Sequence, residues 1–250
     1  MKYEFLTRAN AGTLHALCTA NKPEFASANA KRERWWDEMF TKGLRGWIAF
    51  DDGAPVGFIE YLPIEVAPFP VAGENAHYIT CLWVLPEYER QHAGRSLLAA
   101  CLGDSPSGVA TIAYEGTHKP ASFFKHLGFR QVDQVGDSVL LVHGQATVEL
   151  ERAHYQAHEN AQRLAVDVLF NPECPWSVRT AERVIAAVDN HPARAEIDLW
   201  VADAWASGAH LGLGGGVFFN GTTLFSAPPS DKEIQEAIEN ALTVRAASDL

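Results

Sequence analysis

Apolar positions recur near helical spacing in two early stretches, "AGTLHALCTA" and "NAKRERWWDEMFTKG", and Gly43 is placed to stop the second. The pattern then changes. "GWIAFDDGAPVGFIEYLPI" holds two apolar, β-favouring runs on either side of Asp51-Asp52-Gly53, as an antiparallel hairpin requires. "AHYITCLWV" predicts a third strand, ended by Pro86. Beyond it, "GRSLLAACLG" suits a helix, "GVATIAYE" a strand, "KPASFFKHLGF" a helix closed by Gly128, and "SVLLVHG" a last strand. That order is mixed α/β.

From Glu149 to Arg163 the chain reads "ELERAHYQAHENAQR", which is polar, helix-favouring and short of large aliphatics, and it predicts a helix connecting two cores. A strand "LAVDVLF" follows, then "NPECPWS", a helix "VRTAERVIAAVDN" and a strand "AEIDLWV". A Gly-rich stretch, two short strands around Asn220-Gly221 and a helix from Ser230 complete the chain. The expected domains are residues 1–148 and 164–250, joined by a helix over 149–163.

With 47% hydrophobic residues in 250, the chain can bury two cores. Its formal net charge of -11 argues against a broad grip on nucleic acid or an anionic membrane, since both need clustered Lys and Arg. No apolar run reaches the ~18 residues of a bilayer span, and "MKYEFLTRANAG" lacks the apolar core of a signal peptide, so a cytoplasmic location is expected. The four cysteines, Cys18, Cys81, Cys101 and Cys174, form no C-x-x-C pair. The first three read as core residues. His154 and His158 lie four apart but have no third ligand in reach, so no metal is expected.

The residues "WVLPEYERQHAGRSLL" join a strand to a helix, and the unpaired amides of a helix start are a ready anion site. Glu87 and Glu89 offset Arg90 and Arg95 there, so a phosphate would be held chiefly by backbone. The run Val84-x-Pro86-x-Tyr88, followed by Gly94-Arg95-x-Leu97-Leu98, resembles the acetyl-CoA loop of GNAT-type N-acyltransferases, whose pattern is R/Q-x-x-G-x-G/A. The ungapped match sets Glu89 in the first slot, His92 in the middle Gly slot and Gly94 in the last. A frame shifted by two, Gln91-x-x-Gly94-x-Ser96, fills the first two slots but loses register with Val84 and Pro86. "KPASFFKHLGF" is similar to the family's later helix, and Gly57 in "PVGFIEY" fits its third strand. The resemblance covers residues 1 to 145. It implies a GNAT-like mixed sheet with flanking helices, acetyl-CoA as cosubstrate and a small amine as acceptor. Leu82 and Val84 would face the pantetheine; the amides of Arg90, Gln91, His92, Ala93, Gly94, Arg95 and Ser96 would face the pyrophosphate.

Acyl transfer needs a deprotonated amine, a polarised carbonyl and a reprotonated thiolate. By the resemblance, Tyr78 and Thr80 occupy the family's base positions and Phe124 its general-acid position. Glu60 and Glu115 are carboxylates at or near strand ends, each read first as a solvated surface group. Trp35 and Trp36 are helix neighbours that cannot both face one core; partial burial in the core is the first reading, and a place for one of them in an acceptor cleft is the alternative.

In the second half, Cys174-Pro175-Trp176-Ser177 between a strand and a helix resembles the start of a thioredoxin-like fold, and "TCLWV" is like GNAT chains with a YoaP-like C-terminal extension. A helix N-terminus favours a thiolate, making Cys174 the candidate nucleophile of a monothiol reaction. "GGGVFFNG" resembles the glutaredoxin-like V-P-x-V-F-I-N-G, with Gly215 in place of the cis-proline, which favours a binding or scaffolding domain on a thioredoxin-like frame over redox catalysis. Two further readings stay open: a GNAT-like domain that binds without catalysis, and a thiol enzyme using Cys174.

Overall fold

The computed structural model describes residues 1–67, 69–114, 119–136, 138–151, 155–160, 162–204, 215–223 and 228–248. The chain divides into two units, Met1–Arg152 and Ala153–Leu250. The first contains strands β1 (Lys2–Phe5), β2 (Arg45–Asp51), β3 (Ala54–Pro63), β4 (Val71–Gly73), β5 (His77–Val84), β6 (Gly108–Tyr114), β7 (Arg130–Val135), β8 (Ser138–Gly144) and β9 (Val148–Leu150). Its helices are α1 (Leu14–Thr19), α2 (Ala26–Thr41), α3 (Ala93–Asp104) and α4 (Ala121–His126).

Seven strands form one mixed sheet in the order β1-β2-β3-β5-β6-β8-β7. Every described pairing in it is antiparallel except β5 with β6. The β2–β3 hairpin turns through Asp52 and Gly53, both at positive φ (47° and 81°), as a type I′ turn demands. Gly57 lies opposite Val84, and a Cβ there would stand 3.0 Å from the Trp83 carbonyl, so glycine suits this close approach of β3 to β5 and a larger residue would push the strands apart by a few tenths of an ångström. On one face Ile59, Tyr61 and Ile79 pack with Leu97, Leu98 and Cys101 of α3 and Phe124 of α4. Glu60 points to the other face, where Arg32 and Trp36 of α2 meet it.

Strands β1, β4, β7 and β9 are not announced by apolar patterning. β7 is the sheet's edge and keeps all six side chains at least partly exposed, so it carries no alternation. Trp35 and Trp36 are both buried, against the alternative that one lines a cleft. Neighbours on a helix diverge by ~100°, and α2 buries a stripe wide enough for both: Ala28, Arg32, Trp35, Trp36 and Met39.

The expected connecting helix over 149–163 is not what the chain forms. Val148–Leu150 is β9, paired with β4, and residues 155–160 run without regular structure. Tertiary contacts override the helical propensity: Asp167 accepts the His158 backbone N–H (2.6 Å) and bonds its ring (2.7 Å), that ring stacks on Trp200, and Tyr155 packs on Phe218.

The second unit contains β10 (Leu164–Phe170), α5 (Pro175–Asp189), β11 (Ile197–Asp203), β12 (Gly216–Phe219), β13 (Thr222–Thr223) and α6 (Asp231–Ser248). Its sheet runs β11-β10-β12-β13, with β11 parallel to β10 and the other pairs antiparallel. Val166, Val168, Val184, Val188, Ile197 and Ile238 are among its core residues. A reciprocal cap starts α6: the Glu233 N–H donates to Ser230 Oγ and the Ser230 N–H to the Glu233 carboxylate, which lowers that carboxylate's pKa. Among the described residues no helix is long and apolar enough to cross a membrane.

Candidate active site

β5 and β6 run parallel but share only two register positions, His77↔Val109 and Tyr78↔Ala110. Beyond them the strands part. β5 keeps its bonds to β3 as far as Gly57↔Val84, and β6 keeps its bonds to β8 as far as Tyr114↔Ser138, so the gap lies between two fully supported strands. The result is a wedge: at its narrow end the Thr111 hydroxyl of β6 still donates to the Ile79 carbonyl (3.0 Å), and beyond it the wall toward Val84 presents the β5 edge outside the β5–β6 ladder. A parted parallel pair inside a sheet is a place where an extended ligand can find strand-like hydrogen bonds.

The chain leaving β5 enters a short 3-10 turn over Pro86–Tyr88, then takes positive φ at Arg90 (62°) and His92 (66°) before α3 begins at Ala93. The first helical bond runs from the Ser96 N–H to the His92 carbonyl, and no side chain caps the helix. The amides of Ala93, Gly94 and Arg95 therefore have no acceptor within α3, the arrangement by which helix starts in general receive anions. Arg90, Gln91, His92 and Arg95 are exposed, Gly94 and Ser96 half-buried, and Ala93 buried. A non-glycine residue in the left-handed region is strained by about 1–2 kcal/mol, partly offset by the greater unfolded-chain freedom of glycine. His92→Gly is expected to raise the stability of this unit by up to about 1 kcal/mol, read as a higher urea midpoint; a lower midpoint would show that the imidazole contributes more than its backbone strain.

Leu82 and Val84 lie half-buried on the β5 wall. Tyr78 stands where the strands part, fully buried against Phe69, its hydroxyl accepting the Ile112 N–H. Thr80 is also buried and donates to the Glu60 carbonyl. Phe124 is packed among Phe123 and Phe129.

Glu60 corrects the surface reading. It is 0% exposed, with Trp36 Nε1 and Arg32 Nη2 each donating to its carboxylate at 2.7 Å. Arg32 also touches Cys18 Sγ at 3.0 Å and lies over the Trp36 ring. Burial opposes its charge, but Cys18, Glu60 and Cys81 outweigh that and raise its pKa. A carboxylate so held is a buried ion-pair partner. The signal for Arg32 was present in the sequence: it falls on the same stripe as Trp35, Trp36 and Met39. Cys18 and Cys81 are half-buried rather than core; only Cys101 of the three is buried. Glu115 and His154 lie outside the described residues.

Lys119 carried no signal in the sequence. Its Nζ donates to the carbonyls of Ile79 (2.8 Å) and Thr80 (3.2 Å), at the point where β5 and β6 separate.

In the second unit Cys174 is exposed and immediately precedes α5, whose start has no side-chain cap. Ser177 Oγ accepts the Asn171 N–H, and buried Glu173 bonds the Asn171 side chain. Gly215 lies beside this turn: a Cβ there would be 3.5 Å from Ser177 Oγ and 3.2 Å from the Leu169 carbonyl.

Residues 12–129 match the acetyltransferase (GNAT) family. The uncharacterized N-acetyltransferase YoaP of Bacillus subtilis (strain 168) is 26% identical over 189 residues, 71% of this chain and 74% of that protein. Similar solved structures include a PaiA N-acetyltransferase from Thermoplasma acidophilum in complex with coenzyme A (18% identical, TM-score 0.43), which spans 58% of this chain and 100% of its own. Another is YhbS from Escherichia coli in complex with CoA (19% identical, TM-score 0.42), spanning 57% and 79%. The matched stretch, residues 12–129, lies within the first unit, whose mixed α/β sheet with flanking helices is GNAT-like.

Proposed function

We propose that the first unit transfers an acetyl group from acetyl-CoA to a small amine. One observation carries this reading: the β5 edge outside the β5–β6 ladder leads through the loop 85–92 to the start of α3, so a wall for an extended amide-bearing arm and a seat for phosphates follow one another along the chain. In this placement Leu82 and Val84 face the pantetheine, and the amides of Arg90 to Ser96 face the pyrophosphate. The acyl group then falls at the narrow end of the wedge, near Tyr78 and Thr80. The acceptor amine attacks the carbonyl carbon, the C–S bond breaks, and the product is an amide plus free CoA. Release of CoA thiol from acetyl-CoA over a panel of small amines tests the reading. Turnover above the water rate with at least one amine is expected; binding of acetyl-CoA without turnover on any amine would favour a binding domain, and no binding would end both.

A second reading concerns the second unit, and rests on topology. A β-α-β start with parallel β10 and β11, followed by antiparallel β12 and β13, suits a thioredoxin-like frame, and Cys174 at the head of α5 is where such a frame carries its thiol. Exposure makes it reactive in practice as well as in principle. Iodoacetamide near neutral pH is expected to label Cys174 well before the buried Cys101, read by peptide mass spectrometry. Equal rates would leave this unit as a binding module.

A further inference from the structure

Phe124, which the resemblance sets in the general-acid position, has no proton to give, and the Tyr78 hydroxyl, with the Ile112 N–H donating to it, belongs to a fully buried side chain. What stands at the narrow end instead is Lys119. Its backbone is held in place: the Tyr114 N–H donates to the Lys119 carbonyl (3.1 Å), and Pro120 bridges to Tyr114 in parallel fashion. The other edge of Tyr114 is paired with Ser138 of β8, so Lys119 and Pro120 meet β6 along the edge that faces the wedge. From there the side chain turns back to Ile79 and Thr80, half-buried, with Tyr78's ring 5.6 Å from its Nζ.

Order along β5 gives this ammonium its meaning. The phosphate seat follows Val84; Leu82 and Val84 form the wall; Thr80 and Ile79 hold Lys119. At about 3.3 Å per residue, Thr80 lies roughly 13 Å from Val84, so the ammonium and the pyrophosphate seat are at opposite ends of the same wall. A ligand whose phosphates sit on α3 and whose arm follows β5 brings its far, thioester end toward Lys119.

We propose that Lys119 is the proton donor of the acyl transfer, an assignment that rests on the acetyltransferase reading above. An ammonium group carries donors only, and here the carbonyls of Ile79 and Thr80 anchor it on β5 where the strands part. As the amine attacks and the C–S bond breaks, the electron pair leaves on CoA sulfur and takes a proton from Lys119 Nζ. The neutral lysine then regains the proton that the acceptor nitrogen sheds, so amine plus acetyl-CoA gives amide plus CoA thiol with no net proton change at the lysine. This is general-acid work of the kind that contributes about 10²- to 10⁴-fold.

The test compares wild type with Lys119→Met and Lys119→Arg, using acetyl-CoA and whichever amine of the panel, or water, gives the fastest wild-type thiol release. Lys119→Met is expected to lower kcat by about 10²- to 10⁴-fold while the acetyl-CoA Kd from calorimetry stays within about threefold of wild type (under ~1 kcal/mol). Lys119→Arg keeps the charge but does not give up a proton near neutral pH, so it is expected to remain slow. Turnover by Lys119→Met at the wild-type rate would overturn the assignment. So would a variant that binds acetyl-CoA more tightly and turns over faster, because the ammonium would then merely close the empty wedge. Restoration by Arg would also overturn it, since charge alone would suffice. If wild type itself fails to bind acetyl-CoA, the acetyltransferase reading falls and this assignment with it.

Discussion

Arg32→Met is expected to destabilise the first unit by about 3–5 kcal/mol, the usual result of removing one partner of a buried ion pair. Glu60 is 0% and Arg32 1% exposed, so the carboxylate left behind cannot recruit bulk water and keeps only the Trp36 N–H. The long methionine side chain preserves much of the packing against Trp36 and Phe58, so lost volume is a minor part of the effect. Urea denaturation followed by hydrogen exchange in peptides spanning 26–63 measures it within this unit. The double variant Arg32→Met with Glu60→Gln is expected to recover part of the loss, because a neutral amide replaces the stranded charge. Equal losses in single and double variants would mean that packing, and not charge pairing, holds α2 to β3.

Gly94→Glu is expected to weaken acetyl-CoA binding by about 100-fold or more, consistent with the several kcal/mol that juxtaposed like charges cost. The position separates folding from binding. A Cβ at Gly94 would meet Phe123 at 3.6 Å and Val84 at 3.7 Å, ordinary contact distances, so the free fold accepts a side chain there. The added carboxylate would nonetheless project from the first turn of α3, where the phosphates are proposed to sit. Gly103→Glu is the matched control: it lies on the same helix with nothing within 4 Å of its Cβ, and it should leave calorimetric affinity unchanged. Loss of affinity in both variants would show a general charge effect; loss in neither would remove the phosphates from α3.

What could be read directly from the chain was local. The type I′ turn at Asp52-Gly53, the Ser230–Glu233 cap and the succession of strands and helices follow from φ preferences, side-chain-to-backbone bonds and periodicity within a few residues. The candidate anion loop was legible for the same reason, since a strand end, a Pro and a helix start are all short-range features. Residues whose environment depends on distant partners were misread or unseen. Glu60 sits in a strand where a polar residue reads as surface, until α2 is placed over it. Residues 149–163 have a helix-forming composition, yet Val148–Leu150 joins β4, and His158 is drawn to Asp167 and Trp200.

Two mixed α/β units and a strand-loop-helix junction at residues 84 to 96 are written in the chain's dihedral preferences and apolar period. The parting of β5 and β6 after two residue pairs, the pairing of Arg32 with a buried Glu60 and the reach of Lys119 to the narrow end of the resulting wedge arise from long-range packing. Strand separation depends on what each strand pairs with on its other edge, and a lysine's target depends on where a remote strand turns its carbonyls. Neither quantity exists until segments far apart in the chain are brought side by side.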